Sequence, residues 1–281
     1  MSPRNNEDRV SPKHADPPPP ELAESSANSL SFVTPTEFVD LPSKGVYYAE
    51  GHPLHEQDTV EIRYMTAKDE DILTSRTLLR KGLVLDRLIK NILVDKAVNP
   101  EDLLIGDKNA IIVAARSTGY GSEYTTRLNC PSCGDYVEYS FDLGDAVINS
   151  GEITDDITKT DEGTFVIRLP KMGYDIETRL LTGRDETYLS KLSSSKKKHK
   201  IEDSLLTDQF KQFIVSVNGN TGEDVINALV ENMPAYYSRF LRRQYQLVVP
   251  NIDLTQSFEC SSCDLEQKME VPFTADFFWT R

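Results

Sequence analysis

TRLNCPSCGDYVEYSF, residues 126–141, sets a Cys-x-x-Cys pair between two runs in which apolar and polar residues alternate. A period of two reads as strand. A Cys-x-x-Cys pair between two strands reads as the tip of a β-hairpin offering half of a metal site. SFECSSCDLEQKMEVPF, residues 257–273, repeats the pattern. The chain has four cysteines, Cys130, Cys133, Cys260 and Cys263, and none is left over. In a zinc ribbon two such knuckles face each other, and four thiolates close a tetrahedron around one ion. Ribbon pairs usually stand about 15–20 residues apart. Here 126 residues separate Cys133 from Cys260. Either a domain is inserted between the knuckles, or each knuckle belongs to its own unit.

The intervening sequence favours the second arrangement. EIRYMTAKDEDIL (61–73) aligns with ETRLLTGRDETYL (177–189) at a constant offset of 116 residues. Glu61, Arg63, Thr66, Asp69, Glu70 and Leu73 fall on Glu177, Arg179, Thr182, Asp185, Glu186 and Leu189. This is a strand entering a helix. Thr66 and Thr182 are candidate N-caps, with Asp69 and Asp185 three residues on, as in a capping box. Helical stripes follow in each half, Leu85, Leu88, Ile89, Ile92 and Leu93 in one, Leu206, Phe210, Phe213, Ile214 and Val217 in the other. NPED and TGED come next, with Asn99 and Thr221 as expected caps, then helices around 110–116 and 236–243, then a knuckle. LPSKG (41–45) and LPKMG (169–173) fit the same scheme. The expected fold is α+β, two tandem related repeats, each with strands, a helical bundle and a knuckle. Chance similarity between two helical stretches is the alternative. The expected organisation is a disordered tail over 1–30, rich in proline, a first repeat over 31–150 and a second over 151–281.

The repeats can dock so that the hairpin tips meet and share one zinc. Gly134 follows the first pair and Asp264 the second; a knuckle favours a left-handed residue there, which Asp tolerates less well than Gly. Two reduced, unligated pairs, or ligation by one pair with outside help, are the competing readings. A net charge of −14 argues against a general nucleic-acid binder. With no apolar stretch near a membrane span and no signal-peptide core, the chain is expected in a cytosol, where paired cysteines read as metal ligands rather than disulfides.

Catalysis finds little footing. His52 and His55 lie in GHPLHEQD, which is not the His-Glu-x-x-His helix of a metalloprotease. TGYGSEY (118–124) has only a Gly-x-Gly, and Gly119 reads as a helix stop. Each Cys-x-x-Cys sits between strands and so lacks the helix N-terminus that activates a redox thiol. The expectation is no enzyme. SSSKKKHK (193–200) reads as a solvated loop between helices. The terminal VPFTADFFWTR carries Phe273, Phe277, Phe278 and Trp279. These rings either dock on the chain's own core or anchor a partner.

LPSKGVYY, IRYMTAKDEDIL and two knuckles ending in VPFTADFFW together resemble baseplate hub proteins of T-even-type contractile-tail bacteriophages, over roughly residues 32–281. The resemblance implies a virion protein of the tail baseplate hub, made in the host bacterial cytoplasm, or a hub assembly factor absent from the finished particle. It implies other hub and tail proteins as partners, leaves room for homo-oligomers in the hub, and carries over no catalytic residue. A zinc-ribbon regulator that binds nucleic acid is the third class, favoured by the basic run and opposed by the net charge.

Overall fold

The computed structural model describes residues 34–199, 204–272 and 275–278. The segment expected to be a tail, residues 1–30, lies outside them. The described residues form an α+β fold with eight α-helices, four two-stranded sheets and one four-stranded sheet.

Strand β1 (Thr36–Asp40) runs antiparallel to β2 (Thr59–Arg63). Between them the Leu41–Pro42 turn brings Lys44 and Gly45 to positive φ, 50° and 71°. A Cβ on Gly45 would meet backbone atoms at 2.4 and 2.5 Å, so this turn needs glycine. Helix α1 (Ala67–Leu73) follows β2 directly, with its capping box formed at Thr66. Helices α2 (Arg76–Lys81) and α3 (Val84–Ile92) come next, and α3 buries Val84, Leu88, Ile89 and Ile92 as the helical stripe requires. Leu93 then bridges back to Ile62 of β2. Asn99 caps a single 3-10 turn, Pro100–Asp102, and helix α4 (Ile105–Tyr120) leads to the first knuckle. That knuckle is the hairpin β3 (Glu123–Asn129) and β4 (Tyr136–Asp142).

The second half also runs from paired strands through a capped helix to a hairpin, with additional strands of its own. After β5 (Val147–Asn149), β6 (Ile157–Lys159) and β7 (Phe165–Arg168), a Leu169–Pro170 turn with Lys171 and Gly173 at positive φ leads into β8 (Asp175–Thr178). Helix α5 (Gly183–Lys198) starts with a capping box at Thr182, and α6 (Leu205–Phe213) runs into β9 (Ile214–Val217). Strands β6, β7, β8 and β9 make the four-stranded antiparallel sheet. Helices α7 (Glu223–Asn232) and α8 (Ala235–Val248) lead through β10 (Asn251–Asp253) to the second hairpin, β11 (Thr255–Glu259) and β12 (Glu266–Glu270).

Four local expectations are corrected. Ile214 and Val217 do not continue a helical stripe. Ile214–Val217 is a strand, because its β-branched run can pair with β8 in the core. Thr221 does not cap; Gly222 does, and α7 starts one residue later. Gly119 lies inside α4, where a Cβ would meet Met65 Cε at 2.4 Å; the stop is Gly121, at φ 86°. Residues 193–198 are no loop but the last turns of α5, where lysines suit the negative end of the helix dipole.

Both halves contribute to one continuous core, from Val39 and Ile62 through Ile111 to Phe165, Ile176, Phe213 and Val248. Their seam runs along the N-terminal ends of α4 and α5. Leu104 bridges Thr182; Gly183 N–H donates to Leu103 O and Ile105 N–H to Leu181 O. Lys108, only 6% exposed at its side chain, sits between Asp86 of α3 at 2.6 Å and Glu186 of α5 at 2.7 Å. Gly106 packs so closely on Pro250 that a Cβ would lie 1.9 Å from its carbonyl oxygen.

Candidate metal centre

Both knuckles fold by the same backbone bonds. Cys130 N–H donates to Asp135 O and Gly134 N–H to Cys130 O, each at 2.9 Å. Cys260 N–H donates to Leu265 O and Asp264 N–H to Cys260 O, also at 2.9 Å. The residue after each pair is left-handed, Gly134 at φ 77° and Asp264 at φ 54°. Asp264 therefore adopts the conformation its position demands, at the modest strain an Asp tolerates.

The two tips converge. Cys130 Sγ lies 3.8 Å from Cys263 Sγ, and Cys133 Sγ lies 3.8 Å from Cys260 Sγ. All four sulfurs fall within 4.8 Å of one another. A disulfide needs about 2.05 Å between sulfurs, and all four are free thiols. A tetrahedral ion with metal–sulfur bonds near 2.3 Å has sulfur–sulfur edges of about 3.8 Å. The donor set and spacing fit a four-thiolate metal site. Cys130 and Cys260 are buried beneath the tips, while Cys133 and Cys263 face outward.

Electrostatics favours a cation here. The Cys133 and Ser132 N–H groups point at the Cys130 sulfur and lower its pKa to about 6 despite lost hydration. Cys133 is pushed up to about 12: the Asp135 N–H favours its thiolate, but desolvation and the neighbouring Cys130, Cys263 and Cys260 outweigh it. A thiolate is favoured at Cys130, while Cys133 and Cys263 are both pushed up. A bound cation lets all four ionise together.

Protein–protein contacts hold the hairpins together as well. Tyr139 OH donates to Ser257 O at 2.9 Å, and its ring sits 5.1 Å from Phe258 in an edge arrangement. The Gln256 amide brackets Asp142, accepting from its N–H and donating to its carbonyl. Sequence reasoning missed Tyr139 and Gln256; alternation marks them as strand but says nothing of their partners. The strand alternation does place Phe141, Phe258 and Leu128 on buried faces.

Of the terminal aromatic residues, Phe277 and Phe278 are each 2% exposed. The Phe277 ring meets Tyr124 at 5.0 Å, and its carbonyl accepts from Arg116 Nε at 2.9 Å. Fully buried Arg116 also donates to Gly121 O and Glu123 O, and so ties the chain end to α4 and β3. Those two rings are buried in the chain's own core. Phe273 and Trp279 lie outside the described residues. His52 stacks on Tyr48 and His55 bonds Tyr48 O, both as loop residues.

Fold and site together define an α+β protein whose two hairpin knuckles converge on one cage of four thiols able to hold a metal ion. The chain belongs to the family described as T4 bacteriophage base plate protein, whose model matches residues 35–279. No curated protein and no solved structure gives a significant match. Baseplate membership places the protein in the phage tail, with other tail proteins as its partners. No helix among the described residues is long and apolar enough to cross a membrane.

Proposed function

We propose that this protein is a structural subunit of the baseplate hub, in which one zinc ion bound by Cys130, Cys133, Cys260 and Cys263 staples two diverged copies of one ancestral unit. The observation that carries the reading is the meeting of four sulfurs from two knuckles 126 residues apart in sequence. The duplication rests on matched local chemistry. Asp69 and Asp185 each accept two bonds from an arginine six residues earlier and two from the capping threonine. Each also accepts one from a distant amide at 2.6 Å, Asn91 in the first half and Gln212 in the second.

Held at the tips by metal and at the base by the α4–α5 seam, the two halves present a fixed surface to neighbouring hub subunits. Quantitative mass spectrometry of purified particles tests the role. A fixed copy number of a few per particle supports a hub subunit. Absence from particles with abundance in lysate moves the protein to an assembly factor. Metal analysis of the purified chain tests the staple, with one zinc per chain expected.

A further inference from the structure

Helix α8 has the sequence AYYSRFLRRQYQLV and contains no acidic residue. Its exposed residues are Ala235, Tyr236, Arg239, Arg242, Arg243 and Gln246. At 3.6 residues per turn these six lie within one arc of about 120°. The opposite side buries Leu241, Tyr245 and Val248. Among the described residues, none of the three arginine side chains makes an ion pair or hydrogen bond. An unpaired arginine face is unusual on a chain of net charge −14.

Its complement lies on the same chain. Glu152, Asp155, Asp156, Asp161 and Glu162 are all exposed, against a single Lys159. Among the described residues none of these five carboxylates is paired either. Lys159 is engaged over the Tyr47 ring at 4.4 Å. The start of this acidic segment runs beside α8: Glu152 N–H donates to Leu247 O at 2.7 Å, and Thr154 Oγ1 bonds Gln244 at 3.2 Å. Large apolar side chains are exposed on both segments, Tyr236 at 61% on α8 and Ile153 at 54% in the acidic stretch.

We propose that the arginine face of α8 and the acidic segment 152–162 form a two-fold contact between two copies of this chain. A basic stripe beside an acidic one is complementary to itself under a two-fold axis: each copy's arginines meet the other's carboxylates. The residue choice supports a protein partner. Arginine and tyrosine are enriched at protein interfaces, lysine is depleted, and the guanidinium fork grips carboxylates in pairs. Lys196, Lys197 and Lys198 of this chain's basic run are at the end of α5, not on α8. Tyr236 on α8 and Ile153 in the acidic segment add apolar area that charges alone would lack.

The test is light scattering and sedimentation of the full chain at low and high salt, with two variants. One carries Arg239→Glu, Arg242→Glu and Arg243→Glu; the other carries Asp155→Lys and Asp156→Lys. The native chain is expected at twice its 31.7 kDa mass, dissociating as salt rises. Each variant alone is expected to weaken the dimer by at least about tenfold. A mixture of the two is expected to associate again, because both contacts regain opposite charges. Unchanged circular dichroism and melting keep misfolding out of the result. A native monomer at all concentrations overturns the proposal, as does a mixture that stays monomeric. Nucleic-acid binding that is lost with the arginine variant, without dimerisation, assigns the face to a different ligand and also overturns it. None of these outcomes depends on the metal, so the contact and the staple fail separately.

Discussion

Replacing Asp69 by asparagine tests the physical account of the β2–α1 junction. Asp69 is 0% exposed and accepts five hydrogen bonds, from Arg63 Nη1 and Nη2 at 2.7 and 2.9 Å, Thr66 N–H and Oγ1 at 2.8 Å, and Asn91 at 2.6 Å. Burial by itself would raise this carboxyl. The Arg63 guanidinium, the Thr66 N–H and the Asn91 amide overcome it and hold the pKa at about 2. Against an ordinary 3.8, that corresponds to roughly 2.5 kcal/mol of stability at neutral pH. A second route gives a similar size. Breaking a buried ion pair costs about 3–5 kcal/mol, less here because the Arg63 side chain is 23% exposed and keeps some water. An asparagine at this position would offer one acceptor oxygen and turn an NH2 group toward donors. The expected loss is about 2–4 kcal/mol at pH 7. The pH dependence carries the sign. The folded pKa lies below the unfolded one, so the unfolded chain takes up the proton first as acid is added. The contribution is full above about pH 4 and fades as pH falls towards 2. Urea unfolding of the native chain and Asp69→Asn across that range should give curves that converge in acid. A loss below about 0.5 kcal/mol at pH 7, within the range of ordinary surface changes, or parallel curves throughout, refutes the reasoning.

Asp185→Asn should behave alike, since Asp185 is also held at about 2, against burial, by Arg179, the Thr182 N–H and Gln212; urea melts of the two single variants should agree within about 1 kcal/mol. Cys130→Ser with Cys260→Ser should abolish metal binding and lower the melting temperature, and native melting with native metal content would remove the staple. Chelation of the native chain should lower its melting temperature without unfolding it, because Tyr139, Gln256 and the shared core still hold the halves; loss of helical circular dichroism on chelation would contradict this. Gly134→Ala should cost about 1–2 kcal/mol from its φ of 77° alone, as nothing lies near its Cβ position. Gly106→Ala should cost more, because its Cβ would overlap Pro250 O, and equal melts for the two would contradict the close α4–β10 contact.

Local signals in the sequence were legible where a residue acts on its near neighbours. The capping boxes at Thr66 and Thr182 need only a partner three residues on, and both form. The knuckle hairpins are written in strand alternation and in Cys-x-x-Cys spacing, and the α3 stripe in helical period. Where the partner is distant, the same residues were ambiguous. Ile214–Val217 is apolar enough to extend a helix or to form a strand, and only pairing with β8 decides. Gly119 reads as the stop of α4 from local sequence, but it packs against Met65 inside the helix, which runs on to Gly121. The lysines at 196–198 have loop composition, yet Lys196 is drawn to Asp208 of α6 and the helix continues to meet it.

The sequence by itself determined the two knuckles and the capped strand-to-helix junctions, because those features depend on spacings of a few residues. The tertiary structure alone decided that Cys130 meets Cys263 and Cys133 meets Cys260, that one core serves both halves, and that α8 turns three arginines outward. Those outcomes follow from how α4, α5 and the two hairpins dock, and docking is fixed by shape and burial across more than a hundred residues of chain, which no local period encodes.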